Sequence, residues 1–360
     1  MAHLLHRNVA TALPQTRVLR VEGPDAAKFL QGIFTNDVLS LKSRGDARYG
    51  AFLSHKGRML ADADIVLRET DAFFLKVAAA VEEDMLKHLK KYKLRSKVTI
   101  SAAHDHVRAH AILPSLNDST TTAFLPSWAI DQNQQHSDGV VYSDPRSNWF
   151  GATAILPVST NTSRLALGSD FAVEENADIA DGTARDRRLV LGATSGLELR
   201  DGIPLEFNLD LLHGVSMTKG CYVGQELISR THYKGNIRKR TIPCLVVPAS
   251  GDAAVPPPPF TFGDPANHDP LAGHKWASKH FVALAPPVET DMKLVAKGSS
   301  ASAGRIVAAA TGVNAVVALV RLEQLTRGPI VTEDGQFQVL PYAPAWWPVL
   351  NQETGKLWTM

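Results

Sequence analysis

The stretch Thr218–Arg240, TKGCYVGQELISRTHYKGNIRKR, carries the residues best able to do chemistry, because it holds Cys221, one of only two cysteines in the chain. Gly220 removes side-chain bulk beside the thiol and permits positive φ, and Gly224 does the same three residues later. QELISR then reads as the start of a helix, with Leu227 and Ile228 apolar. A helix beginning near Gly224 places Cys221 close to its N-terminus, where free amides and the positive dipole end favour a thiolate. Lys219 adds a positive charge. A thiolate serves metal ligation and nucleophilic attack alike, and His213 and His232 are the candidate bases for the latter. A small cysteine seated in a crowded turn is the plain alternative. All three readings stay open on these residues alone. The basic run Arg230, His232, Lys234, Arg238, Lys239 and Arg240 suits an anionic ligand, an acidic partner or a solvated face. Tyr233 is its single interleaved aromatic, too few for the stacking platform of a nucleic-acid site.

The rest of the chain limits what Cys221 can belong to. At 360 residues, two or three domains are expected. A net charge of +2 is nearly balanced, so any basic character is local: Lys219–Arg240 has six Lys or Arg against one acid, Glu226. Cys221 and Cys244 form no CxxC or Cys/His cluster, which argues against a disulfide framework and for a reducing compartment. Nor can the chain supply the four thiolates of an iron–sulfur cluster, so a cluster held at Cys221 needs ligands from a second molecule. No apolar run is long enough to span a membrane. Residues 1–21 contain Arg7, Arg17 and Arg20 but no acid, which reads as the remnant of a mitochondrial transit peptide.

The elements that must position the cysteine are legible in outline. VLRVEGPDAAKFLQG reads as a strand and then a helix ending near Gly32. YGAFLSHKGRMLADADIVLRET reads as two strands joined at His55–Arg58, with Asp62 and Asp64 on one face of the second. AFFLKVAAA is a further strand. Val81–Leu94 is an amphipathic helix, with acids early and lysines late. Strands follow at Ser96–Ser101 and Val107–Leu113, residues 114–140 read as loop, and 183–192 as helix. Beyond Arg240, short β-like runs suggest a small barrel or sandwich, interrupted by an irregular Pro-rich insertion over 251–283. Strands and helices in this order predict an α+β fold of antiparallel sheets flanked by helices. With no GxGxxG or Walker loop, a nucleotide-binding domain is not expected.

KGCYVGQE (Lys219–Glu226), followed by Arg230 and GNIRKR, resembles the signature of the YgfZ family, folate-binding proteins related to the glycine-cleavage T-protein. GPDAAKFLQGIFTNDV (23–38), FLSHKGRMLAD (52–62), DPR (144–146) and GIPLEFNLDLLHGVSMTKGCY (202–222) match further family blocks in order. RTHYKGNIRKR is most similar to the eukaryotic mitochondrial branch. The resemblance implies a three-domain ring with a C-terminal β-barrel. Its expected divisions are a discontinuous first domain over 15–50 and 141–240, a ferredoxin-like domain over 51–140, and a barrel over 241–360. It implies a role in the mitochondrial matrix in assembling 4Fe–4S proteins, as a monomer that pairs with an A-type iron–sulfur carrier, without nucleic acid or membrane. Cys221 would then help hold a 2Fe–2S cluster shared with that carrier. Lys219, Gly220, Tyr222, Gly224, Gln225, Glu226 and Arg230 would form the supporting loop, with Gln225 and Glu226 fixing it through hydrogen bonds and Arg230 pairing with an acid. The resemblance also implies a tetrahydrofolate-like site in the central hole. Asn36, Asp37, Arg58, Arg146, His232, Lys234, Arg238 and Arg240 are candidates for folate or partner contacts. No catalytic residue is assigned: Asn36–Asp37 and Asp62 are candidates for the transferase acid, each equally a turn or edge-strand residue. An assembly factor is therefore expected before an enzyme, and a tetrahydrofolate-dependent aminomethyltransferase or demethylase is the alternative.

Overall fold

The computed structural model describes residues 7–115, 139–160, 171–174, 176–249, 272–283, 288–351 and 354–357. Five strands form one antiparallel sheet: β2 (Thr16–Glu22), β3 (Ala47–Leu53), β4 (Met59–Glu69), β5 (Ala72–Ala78) and β6 (Thr99–Ala102), in the order β3-β4-β5-β2-β6. Helices α1 (Ala26–Gln31) and α2 (Glu82–Lys93) cover one face, where Leu19, Phe34, Phe52, Phe73, Leu75, Met85 and Leu89 make a common core. α2 follows the dipole rule, with Glu82, Glu83 and Asp84 in its first turn and Lys90, Lys91 and Lys93 in its last.

A second sheet, ordered β10-β1-β7-β9-β8, uses β1 (Asn8–Ala12), β7 (Val107–Leu113), β8 (Val140–Ser143), β9 (Ala152–Pro157) and β10 (Phe171–Glu174). Only β1 and β10 run parallel. The two sheets pack face to face, Val18, Val66 and Phe74 against Ala109, Tyr142 and Ile155. Helix α3 (Ala177–Val190) starts at Asn176, whose side chain accepts from the Asp178 and Ile179 amides. It leads through the 3-10 turn Gly196–Leu199 into the signature loop and α4 (Gln225–Lys234). The chain then closes a six-stranded barrel, β11 (Lys239–Pro248), β12 (Lys293–Ala296), β13 (Ser302–Ala309), β14 (Ala315–Arg321), β15 (Ile330–Thr332) and β16 (Phe337–Pro341), with α5 (Ala272–Ser278) against it.

The expected architecture is present, but the domain boundaries move. A break at residue 50 falls inside β3, which pairs with β4 along its whole length, so 16–102 form one continuous unit. The discontinuous unit is the second sheet, which recruits β1 from the N-terminus. β1 and β2 occupy much of residues 8–21. From Asn8 onward that segment is sheet, with Val9, Val18, Leu19 and Val21 buried, because its alternating valines and leucines suit strands. Residues 116–138 of the expected loop and 251–271 of the Pro-rich insertion lie outside the described residues, whereas 272–278 of that insertion are helical. No helix among the described residues is long and apolar enough to cross a membrane.

Candidate functional site

Cys221 stands on an exposed loop whose two flanks are clamped. On one flank Lys219 reaches into the end of α1, where its ammonium donates to the carbonyls of Gln31, Phe34 and Asn36 at 2.6, 2.6 and 2.9 Å and lies 4.8 Å from the Tyr222 ring centre. All three ammonium hydrogens are thus spent on the carbonyls left open at a helix end. Burial lowers its pKa to about 8, so it remains charged at neutral pH. Lys219 thereby anchors this flank of the loop to the end of α1. Thr35 and Asn36 complete this flank. Thr35 Oγ1 donates to the Gly214 carbonyl at 2.6 Å, and Asn36 Nδ2 donates to the carbonyls of Tyr49 and His213 at 2.8 and 2.7 Å. Asn36 is buried in that clasp, and Asp37 caps the 3-10 turn Val38–Ser40. All three side chains of the TND motif thus make hydrogen bonds within the chain.

On the other flank Gly224 and Gly57 meet. Gly224 has φ +80° and precedes α4; a Cβ there would lie 2.6 Å from the Ser54 carbonyl oxygen and 2.8 Å from the Leu53 Cβ. A Cβ on Gly57 would lie 2.5 Å from Leu227 Cβ and 2.8 Å from the Gly224 carbonyl oxygen. The HKGR turn and the signature loop thus require two glycines at one contact. Gly220 uses neither property of its type: it has no positive φ, and nothing lies within 4 Å of a Cβ built there. The thiol's immediate neighbour therefore opens onto free space.

The other signature residues separate into two groups. Tyr222 packs into the core, and its amide reaches Gln225 Oε1 at 3.4 Å. Glu226 and Arg230 are exposed, and their side chains make no hydrogen bond or ion pair among the described residues, so of these expected contacts only that of Gln225 is present there. The basic run also divides. Lys234 and Arg238 are exposed and His232 is half-buried against Tyr233, whereas Arg240 is fully buried and bonded to both carboxylate oxygens of Asp210. Arg240 is inaccessible to a partner, which corrects its place in the contact set. Arg58 is exposed, with Nη1 donating to the Asp201 carbonyl at 3.3 Å.

A cavity of about 220 Å³ lies between the two sheets and α3, lined by Tyr49, Asp62, Asp64, Arg146, Trp149 and Phe150 among others. Arg146 is buried and binds both oxygens of Asp144, at 2.9 and 2.7 Å, with its guanidinium 4.2 Å from the centre of the Phe150 ring. Burial would raise the Asp144 pKa, but Arg146 outweighs it and holds the carboxyl below its usual range. Asp64 pairs with Lys76 at 2.5 Å and accepts from the Tyr142 hydroxyl at 3.0 Å. Asp62 accepts from Ser195 Oγ and the Gly196 amide, both at Oδ1. Sequence reading placed Asp62 on an edge, yet β4 is an interior strand. Asp64, Lys76, Asp144 and Tyr142 were not singled out. Two acids alternating with alanines in an otherwise apolar strand were the available signal, since such acids must face either water or a lined cavity.

Burial raises the Asp62 pKa above its ordinary 3.8. Relative to the unfolded chain, folding shifts this group toward its protonated form, so the ionised carboxylate opposes folding at neutral pH. Asp62→Asn, which keeps the acceptor for Ser195 and Gly196, is expected to be more stable than wild type at pH 7. The gain should fade as the pH falls below the ordinary carboxylate range, where folded and unfolded chains are both protonated. Urea unfolding across that pH range checks it, and a variant less stable at pH 7 would contradict the assignment.

Comparison with known proteins places this geometry in context. Residues 13–113 match the GCVT N-terminal domain family. The mitochondrial iron–sulfur cluster assembly factor IBA57 homologue of Neurospora crassa is 34% identical over 247 residues, 66% of this chain and 53% of that protein. The chain thus spans little more than half of that relative's length. The mitochondrial IBA57 homologue of Neosartorya fischeri is 30% identical over 345 residues, 89% of this chain and 71% of that protein. The crystal structure of glycine cleavage system aminomethyltransferase T from Bartonella henselae superposes with a TM-score of 0.64 at 15% identity, over 99% of this chain and 90% of that one. That likeness is one of fold.

Proposed function

The chain belongs to the IBA57 family of mitochondrial iron–sulfur cluster assembly factors, and we propose that it helps mature 4Fe–4S proteins in the mitochondrial matrix by lending Cys221 to a 2Fe–2S cluster shared with an A-type carrier. The observation that carries this reading is a single exposed thiol on a loop clamped at both ends. Cys244 is fully buried in the barrel, and burial raises its thiol pKa far above the usual range, so Cys221 is the one accessible thiol. A cluster takes about four protein ligands, and one thiolate from this chain leaves the partner to supply the others. The clamped flanks hold the sulfur in place at little entropic cost when the partner arrives. Ligation releases the thiol proton.

The test is an anaerobic titration with cluster-loaded carrier, followed by visible absorption and gel filtration. Wild type should form a coloured complex. Cys221→Ser should lose the shared-cluster absorption, with Gly220→Ala as a control that retains it. An equally coloured and equally stable complex from Cys221→Ser would remove the ligand assignment.

A folate-like ligand in the central cavity is favoured by the chemistry of its lining. Tyr49, Trp149 and Phe150 offer apolar walls, and Asp62, whose two hydrogen bonds both go to Oδ1, offers a buried acceptor suited to the N–H groups of a pterin. When bound, tetrahydrofolate would supply a one-carbon carrier. Calorimetry with tetrahydrofolate should give heat of binding that Asp62→Ala abolishes, and no binding by wild type would sink this reading.

A further inference from the structure

A groove of about 730 Å³ runs beside the cysteine loop, between α1 and the end of α2, lined by Phe29, Ile33, Tyr92, Leu94, Arg95 and Val223 among others. We propose that this groove is the docking site for an acidic segment, carrying a large apolar anchor, of the protein that brings the remaining cluster ligands. The inference rests on the assembly reading above and adds the surface that selects the partner.

Three observations carry it. The first is an apolar side chain held out into water. Leu94 is 85% exposed, the most exposed large apolar side chain among the described residues. It also has φ +44° at the end of α2, a conformation that costs a non-glycine residue free energy. Apolar exposure and backbone strain at the same residue are the pattern of a surface completed by something else.

The second is charge. From Lys87 to Lys97 the chain has six Lys or Arg and no acid, and Lys28 and Arg95 are exposed at the groove itself. The one acid in the lining, Asp25, accepts the Lys97 amide at 2.7 Å. An acidic segment is therefore complementary, and attraction at the rim would speed its encounter.

The third is continuity with the thiol. Val223 lines the groove and its amide donates to the Gly32 carbonyl at 3.0 Å. Cys221 is two residues earlier, at most about 7 Å of backbone away. A segment anchored in the groove thus brings its partner's ligands beside the sulfur, where both can bind one cluster, and docking and ligation are separable steps made by neighbouring residues.

The experiment measures association of the full chain with the cluster-free A-type carrier by calorimetry. Wild type should bind, more weakly at higher salt. Leu94→Glu with Arg95→Glu should weaken binding by about tenfold or more. Leu94→Gly should weaken it as well while leaving Tm unchanged or raised, because the strained backbone is relieved. Cys221→Ser should bind the cluster-free carrier like wild type and fail only in holding the cluster. Unchanged affinity in the Leu94 variants would overturn the groove while leaving the thiol reading to its own test. No association by wild type would overturn both. Sedimentation with phosphatidylcholine vesicles, with and without an anionic phospholipid, is the second arm: Leu94-dependent binding to anionic vesicles would overturn the protein partner in favour of a lipid surface.

Discussion

Arg240→Ala is expected to cost the fold about 3–5 kcal/mol, the range seen when one member of a buried ion pair is removed. The guanidinium is fully buried. It binds both Asp210 oxygens at 2.9 Å, the Leu205 carbonyl at 3.0 Å, Asn208 Oδ1 at 3.2 Å, and the Gly355 carbonyl through Nε and Nη2 at 3.1 and 2.9 Å. One side chain therefore joins the 205–210 turn, the first barrel strand and the chain near residue 355. Truncation leaves Asp210 without its cation and several buried acceptors without donors, which is costlier than never having built the pair. Arg238→Glu, two residues away on the exposed side, should stay within about 0.5 kcal/mol of wild type. Urea unfolding of the two variants side by side measures the contrast. If Arg240→Ala unfolds at the wild-type midpoint, the guanidinium is not the joint described here.

Gly224→Ala should cost about 2–4 kcal/mol and, under the proposed assembly role, abolish cluster sharing although Cys221 is untouched. Part of the cost is conformational, since alanine at φ +80° is strained by about 1 kcal/mol or more. The rest is steric. The new methyl would sit 2.6 Å from a backbone oxygen of the β3–β4 turn, and backbone cannot swing aside as a side-chain tip can, so the turn and the loop must separate. Gly57→Ala attacks the same contact from the other side, and the double variant should lose less than the sum of the singles because the contact opens only once. Denaturation midpoints together with visible absorption of the carrier complex check this. A Gly224→Ala protein that holds the cluster normally would show that loop rigidity is not needed.

These two residues also show how much was legible in the chain. Arg240 and Arg238 belong to one basic run and look equivalent in it, yet one closes a buried joint and the other faces water. Lys219 next to Cys221 suggested a charge that would stabilise a thiolate. Its ammonium reaches carbonyls at residues 31, 34 and 36, a contact across about half the length of the chain that no local spacing reveals. Gly220 and Gly224 read alike, but only Gly224 has the left-handed backbone and the close neighbour that demand glycine. For the same reason the first domain boundary was misplaced: β3 and β4 are local partners, but which sheet they join depends on β5 and β2.

Local sequence determined the kinds of element, the barrel-like end, the signature around Cys221 and the arithmetic that one usable thiol cannot hold a cluster alone. These follow from short-range periodicity, turn chemistry and counting, which need no knowledge of distant contacts. The tertiary structure alone decided which arginine is spent, and that Asp62 and Asp64 face a lined cavity. Burial and pairing depend on segments tens to hundreds of residues apart meeting in space, and a side chain's charge, exposure and freedom are properties of that meeting.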